Sequence, residues 1–143
     1  MKKGSITLEN GQVVVMELFD QDAPGTVANF EKLANKGFYN GLTFHRVVRG
    51  FVAQGGCPDG TGRGGTDKIP CETENNPHKH VRGIISMAHF GTNTGSCQFF
   101  ISYAEFDYLD GRHTVFGRVI SGMEHVDALK RGDKMLEVKV WNE

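Results

Sequence analysis

The stretch FHRVVRGFVAQGG, residues 44–56, is the most informative part of the sequence for the fold. Its branched and aromatic residues form two short runs on either side of Gly50, which predicts two strands joined by a tight bend. Arg46 and Gln54 stand close in sequence to the large apolar ring of Phe51. The stretch therefore predicts a surface on which hydrogen-bond donors border an apolar ring.

A second stretch carries the same combination of residues. Residues 86–89 read SMAH and residues 95–101 read GSCQFFI, in which Gln98 stands two positions before Phe100. Donors beside apolar rings suit a ligand that is itself an apolar ring next to an amide. A prolyl residue fits this description, because its ring nitrogen belongs to a tertiary amide that is readily cis or trans.

The N-terminal part of the chain predicts a hairpin followed by a helix. Residues 5–8 and 13–18 flank the pair Asn10-Gly11, which is typical of a type I′ turn with two positive φ angles. An aspartate just before Pro24 is a suitable helix cap, and proline is tolerated in the first turn. The helix should end at Gly37. Its apolar face repeats at helical spacing through Val27, Phe30, Leu33 and Ala34.

The rest of the chain predicts further short strands and one short helix. Residues 55–83 are rich in Gly, Pro, Asp and Asn and lack periodicity, which indicates a loop that is longer than an ordinary connection. The further strands are expected over residues 84–88, 98–102, 114–119 and 137–141, and the helix around 123–129. Many short strands favour an antiparallel sandwich or a closed barrel, and periodicity alone leaves both open.

Composition bounds the class of protein. The chain of 143 residues is expected to form a single domain over residues 1–143. Its 16 basic and 17 acidic residues show no run of one sign, so we expect neither a nucleic-acid nor a membrane partner. No apolar segment suits a signal peptide or a membrane span, and the three cysteines do not suggest a secreted disulfide framework. The sequence therefore predicts a cytoplasmic protein, and a monomer is the default expectation because no large apolar surface can be read from the sequence.

Five blocks of sequence resemble the cyclophilin family of peptidyl-prolyl cis-trans isomerases. Besides the two stretches above, the similarity covers APGTVANF at 23–30, GFYNGLTF at 37–44 and LDGRHTVFGRV at 109–119. The blocks occur in the family's order, from about residue 5 to the C-terminus. One such block alone would carry little weight, whereas five co-linear blocks in a chain of the right length are specific.

The resemblance implies a mainly β fold, a closed eight-stranded antiparallel β-barrel capped by two α-helices. In that family the barrel interior is a filled core and the site lies on the outer face. The implied activity is isomerisation of Xaa-Pro bonds in peptides and unfolded proteins, which assists protein folding. No cofactor or metal is expected.

The resemblance also assigns roles to residues of this chain. Arg46 matches the catalytic arginine. The residues that match the proline pocket are Phe51, Val52, Phe100, Leu109 and His113. The residues expected to orient the backbone around it are Gln54, Ala88, His89 and Gln98. We expect His113 to pack and to form hydrogen bonds rather than to act as a base, because the reaction transfers no proton.

The sequence departs from the family pattern at four positions. Val52 stands where a methionine is usual and predicts a slightly wider pocket. His89 replaces an asparagine, and Arg49 replaces a proline and adds a positive charge near the site. Tyr108, which we also expect among the substrate-binding residues, stands where members that bind cyclosporin tightly carry tryptophan. We therefore expect catalysis to survive and cyclosporin binding to be weak.

Two other classes of function stay open at this point. A catalytically silent module that only grips proline-containing segments would use the same pocket. A metal or thiol-redox protein could use Cys57, Cys71, His78 and His80, although their spacing lacks the paired pattern of structural zinc sites. The glycines of residues 60–65 are not followed by a Lys-Ser/Thr pair, so we reject nucleotide binding.

Overall fold

The computed structural model describes residues 2–143. Helix α1 spans Pro24–Asn35, helix α2 spans Met123–Asp127, and a single 3₁₀ turn covers Asp107–Leu109. The strands, numbered in chain order, are β1 Lys2–Leu8, β2 Val13–Leu18, β3 Arg46–Val48, β4 Val52–Gly55, β5 Ile84–Met87, β6 Phe99–Ser102, β7 Val115–Ser121 and β8 Met135–Asn142.

The eight strands form one antiparallel sheet in the order β3-β4-β6-β5-β7-β2-β1-β8. The predicted mainly β fold of eight antiparallel strands is thus confirmed, but the prediction of a fully closed barrel needs a correction. No ladder joins the end strands β3 and β8 among the described residues; an isolated bridge between Thr43 and Lys134 spans the gap. Backbone hydrogen bonds between residues 41–44 and 132–135 flank this bridge, so a short contact rather than a strand ladder closes the curled sheet.

The N-terminal hairpin is confirmed, but its turn differs from the prediction. Gly11 has a φ of 87°, whereas Asn10 is not among the residues of 2–143 with a positive φ. The side-chain carbonyl of Asn10 instead accepts a hydrogen bond from the Gln12 N–H at 3.0 Å. This side-chain turn needs only one left-handed residue, so the type I′ prediction was wrong.

Helix α1 begins at Pro24 as predicted, but no aspartate caps it. The residue before the helix is Ala23, which has no side-chain cap. The carboxylate of Glu72, from the long loop, accepts from the Gly25 N–H at 3.1 Å and from the Thr26 N–H at 2.6 Å. A negative charge at a helix N-terminus is favourable, so this contact also fastens the loop to the helix.

The concave side of the sheet is filled by an aromatic core. Phe30 of α1 packs edge-on against Phe99 at 5.5 Å between ring centroids and lies 5.3 Å from Phe116. Tyr39 and Phe44 complete this cluster, and all five rings are fully buried. The interior is therefore occupied, and a ligand must bind outside it.

Strand alternation decides which side chains reach the outer face. Ala53, Phe99 and Ile101 belong to the core, whereas the intervening Gln54 and Phe100 do not. Period-two alternation thus turns one residue of each neighbouring pair outward.

No helix within residues 2–143 is long and apolar enough to cross a membrane.

Candidate functional site

Four strands align the central side chains of the site by their register. Arg46 of β3 pairs with Gln54 of β4, which pairs with Phe100 of β6. Phe100 in turn pairs with Ser86 of β5. Residues directly opposite one another in a sheet lie on the same face, so this row crosses four strands on one side. Positions that are far apart in sequence therefore meet on the outer face.

A cleft of about 760 Å³ lies over this row. Ten of the eleven sequence-predicted site residues line it, namely Arg46, Phe51, Val52, Gln54, Ala88, His89, Gln98, Phe100, Leu109 and His113. Tyr108 does not line it: its side chain is 59% exposed, and its ring contacts Phe106. A role for Tyr108 in binding stays a prediction.

One half of the cleft, the ring half, consists of Phe51, Val52, Phe100, Leu109 and His113. Val52 is 2% exposed and Phe100 is 5% exposed, so both form a packed apolar floor. The ring of His113 meets Phe100 edge-on at 5.6 Å between centroids. Phe51 is held from behind by Phe106, edge-on at 4.9 Å. These rings can enclose an apolar ring of similar size.

A chain of polar side chains borders the ring half. The Arg46 guanidinium lies 5.5 Å from the Phe51 ring centroid and donates to the Gln54 side-chain oxygen at 3.4 Å. Gln54 donates to the Gln98 oxygen at 3.1 Å, and Gln98 donates to the carbonyls of Gly62 and Gly64 at 2.9 and 2.8 Å. The two glutamines thus orient the arginine without neutralising its charge.

His113 is held by a hydrogen bond and by ring stacking. Its Nδ1 donates to the Met87 carbonyl at 3.0 Å, and the His89 ring stacks on it at 4.1 Å between centroids. Burial lowers the pKa of His113 below its ordinary value and outweighs the raising effect of the Met87 hydrogen bond. The geometry suits packing and hydrogen bonding, in line with the role expected from the sequence.

A buried polar network stands behind the ring half, and sequence reasoning missed it. The His80 ring lies 2.8 Å from Asp110 through Nδ1 and 2.9 Å from the Ser86 hydroxyl through Nε2. The same ring stacks on Phe100, with centroids 5.9 Å apart and planes 20° apart. Because the His80 ring is fixed and packs against Phe100, the Phe100 side chain is held in position at the cleft. The sequence offered His80 only as a candidate ligand of a metal site.

The other half of the cleft, the loop half, was also not foreseen. It comprises Thr61, Gly62, Arg63, Gly64, Gly65, Thr66, Lys68, Phe90, Thr94 and Ser96. Most of these residues belong to the long glycine-rich segment, whose length alone indicated a functional loop. Phe90 is 81% exposed and forms part of the rim.

The residues considered for a metal or redox site do not come together. All three cysteines are free. The Cys57 thiol donates a hydrogen bond to the Asp59 carboxylate, and the Cys71 sulfur accepts one from the Asn93 N–H. His78 instead lies 2.7 Å from Asp22. Within residues 2–143 no group of three or more His, Cys, Asp or Glu side chains could hold a metal ion. The metal alternative therefore has no geometric support.

Comparisons with known proteins agree with this geometry. A family model for cyclophilin type peptidyl-prolyl cis-trans isomerase/CLD matches residues 5–142. Peptidyl-prolyl cis-trans isomerase B of Bacillus subtilis is 58% identical over 98% of this chain and 99% of its own length. A peptidyl-prolyl cis-trans isomerase of Helicobacter pylori is 56% identical over 84% of this chain and 76% of its own.

Solved structures agree as well. The crystal structure of a cyclophilin type peptidyl-prolyl cis-trans isomerase of Cryptosporidium parvum superposes with a TM-score of 0.89 at 30% identity, covering 99% of this chain and 98% of that one. Its structure in the presence of the dipeptide Ala-Pro gives a TM-score of 0.86 at 29% identity, covering 99% of both chains. From its sequence, its sheet and these relatives, the chain belongs to the cyclophilin-type peptidyl-prolyl cis-trans isomerase family.

Proposed function

We propose that the cleft catalyses cis-trans isomerisation of Xaa-Pro bonds, with the prolyl ring in the ring half and Arg46 beside the prolyl nitrogen. The observation that carries the proposal is the position of the Arg46 guanidinium, at the border of the apolar rings and held there by Gln54. An apolar pocket with a fixed cation at its edge matches a ring whose nitrogen changes character during the reaction.

The reaction makes and breaks no covalent bond, and its barrier of about 18–20 kcal/mol comes from amide resonance. In the twisted state the prolyl nitrogen loses conjugation and gains a lone pair. A donor aimed at that nitrogen binds the twisted state better than either planar state, and only such differential binding accelerates a step. Arg46 suits this role because its guanidinium is always charged and carries several donors.

The magnitude of one such bond limits what Arg46 can do alone. A hydrogen bond to a charged group contributes about 1.5–3 kcal/mol net, and each 1.36 kcal/mol is about tenfold in rate. Arg46 would therefore supply about one to two powers of ten. The remainder would come from holding the ring against Phe100 and Val52 while the preceding carbonyl rotates in a partly dry cleft.

The rival function is a module that binds proline-containing segments without catalysis. Such a module needs the ring half but gains little from a guanidinium held at the edge of Phe51. We therefore favour the enzyme, and we infer that its clients are proline-containing peptides and unfolded proteins. Assistance to folding follows because proline isomerisation takes tens of seconds uncatalysed. The cytoplasmic location and the monomeric state stay predictions from the sequence.

The test is exchange spectroscopy by NMR on a short Ala-Pro peptide, with wild type and Arg46→Ala side by side. The proposal expects wild type to speed cis-trans exchange and the variant to lose most of that acceleration. If wild type shifts the peptide resonances yet leaves exchange at the uncatalysed rate, the binding module is correct instead. A circular dichroism spectrum of each variant shows that the fold is retained.

A further inference from the structure

The loop half of the cleft is positively charged. Arg63 and Lys68 line it, and both side chains are exposed. Together with Arg46 they place three permanent cations around one cavity, and no Asp or Glu is among the residues that line it. Burial lowers the pKa of His45, with a further lowering by the Arg46 charge, and burial likewise lowers that of His113. The charge of the cleft therefore comes mainly from the arginines and the lysine.

Some basic side chains elsewhere on the surface are paired with carboxylates. Arg82 is paired with Asp127 at 2.6 Å, Arg118 with Glu17 at 2.8 Å and Lys2 with Glu31 at 2.9 Å. By contrast, none of the three cleft cations forms an ion pair with any carboxylate in the described part of the chain. The chain as a whole carries a formal charge of −1, so the positive cleft is a local feature.

Two acidic residues stand near the cationic loop residues in sequence, Asp59 and Asp67, and neither of them lines the cleft. Asp59 accepts hydrogen bonds from the Thr61 N–H at 3.1 Å and hydroxyl at 2.7 Å, and from the Cys57 thiol at 2.9 Å. These bonds fix the loop that carries Arg63 and consume the acceptor capacity of that carboxylate oxygen. Asp59 does not line the cleft, so it leaves Arg63 and Lys68 available to a ligand.

We propose that the loop half binds an anionic side chain, a carboxylate or a phosphate, on a residue that flanks the substrate proline. The proposal rests on the function proposed above and names a preferred class of its substrates. A cleft of about 760 Å³ has room for more than one residue, since cavities of roughly 300–1,000 Å³ bury drug-sized ligands. Unpaired charges of one sign in a concave site also raise the local concentration of oppositely charged ligands.

The experiment compares peptides that differ only in charge. In a short Ala-Pro peptide, each flanking position in turn carries Glu, Gln or Lys, and a second series carries Ser or phosphoserine. NMR exchange gives kcat/KM and shift titration gives Kd for each peptide. At one flanking position or more, we expect the Glu peptide to exceed the Gln peptide by about fivefold, with the Lys peptide weakest, as two exposed ion pairs allow.

Variants assign the preference to the loop. The double variant Arg63→Gln and Lys68→Gln should bring the Glu/Gln ratio close to one, and Lys68→Glu should favour the Lys peptide. The matched control is Lys36→Gln, an exposed lysine that does not line the cleft, and it should leave the ratio unchanged. In wild type, salt of about 1 M should also reduce the Glu/Gln ratio, because it shortens the electrostatic screening length to about 3 Å.

The outcomes separate this inference from the proposed function. Equal kcat/KM and Kd for Glu, Gln and Lys peptides at every position would overturn the anionic preference while leaving isomerisation intact. Absence of any accelerated exchange would overturn the proposed function, and the Kd series would still decide whether the loop half selects anions. A preference for phosphoserine without one for Glu would assign the subsite to phosphate.

Discussion

The two halves of the cleft are built by different means. The ring half stands on β4 and β6, whose ladders fix Val52 and Phe100 by register. In the loop half, Arg63 does not lie on a strand, and hydrogen bonds of the Gln98 and Asp59 side chains hold its loop in place. We infer that the strand-built half supplies a constant ring pocket and that the loop-built half supplies selectivity. Predictions about each half can separate these roles.

Removal of the ring-half floor should have the largest effect. Phe100→Ala deletes a side chain that is 5% exposed and stacked on His80, so we expect a loss of about 3–5 kcal/mol in the free energy of unfolding. Tyr108→Ala, at a ring that is 59% exposed, is the matched control and should cost much less. Urea unfolding measures both. Equal losses of unfolding free energy in the two variants would show that burial of Phe100 does not stabilise the ring half.

The fastening of the loop half can be broken separately. Gln98→Leu removes the donors to the Gly62 and Gly64 carbonyls as well as the acceptor for Gln54, whereas Gln54→Leu removes the bonds to Gln98 and Arg46 and leaves the loop contacts in place. We expect Gln98→Leu to lower the free energy of unfolding by about 1–3 kcal/mol and Gln54→Leu to lower it less. Amide hydrogen exchange should rise over residues 59–66 in the first variant. Unchanged exchange there would contradict the fastening role.

Acid should act on the network behind the ring half. Burial lowers the pKa of His80 despite the raising effect of Asp110, so the folded state binds this proton less readily than the unfolded state. Its contribution to stability is therefore full above the unfolded pKa of about 6.5 and is lost as the pH falls from there towards the folded pKa. Titration of the His80 ring by NMR tests the sign. A midpoint at or above the ordinary value would contradict it.

The smallest effect is expected at the rim. Tyr108 lies outside the cleft lining and is widely exposed. The resemblance predicts weak cyclosporin binding because tryptophan is absent there, so Tyr108→Trp should tighten binding several-fold while leaving peptide isomerisation nearly unchanged. An inhibition titration of both proteins tests this. Nanomolar inhibition of wild type would show that Tyr108 does not weaken the drug.

The sequence predicted the ring half because its residues sit in short, distinctive blocks on strands. Motif and register coincide there, so Arg46, Gln54 and Phe100 meet on one face as expected. The loop half escaped prediction because glycine-rich backbone has no period from which a face can be assigned. Arg63 and Lys68 are ordinary surface residues until the fold places them in a cleft.

The errors in the fold have the same origin. Glu72 caps α1 from 46 or 47 positions further along the chain, and local sequence favoured a nearby aspartate. The Asn10 side chain adds a hydrogen bond to the Gln12 N–H, and the turn takes a form in which only Gly11 has a positive φ. Barrel closure depends on a short contact between residues 41–44 and 132–135, which alternation does not define. In each case a specific contact rather than backbone propensity decided the structure: the helix cap and the barrel closure depend on long-range contacts, and the turn on a local side-chain bond.

The most direct test of the central claim is the separation of rate from affinity at Arg46. The rate of cis-trans exchange on saturated enzyme and the peptide Kd are measured for wild type, Arg46→Ala and Arg46→Lys. The account predicts that Arg46→Ala lowers the saturated rate by about 10- to 100-fold, with a much smaller change in Kd and partial recovery in Arg46→Lys. An unchanged saturated rate with a Kd weakened by that factor would contradict it, because Arg46 would then only bind.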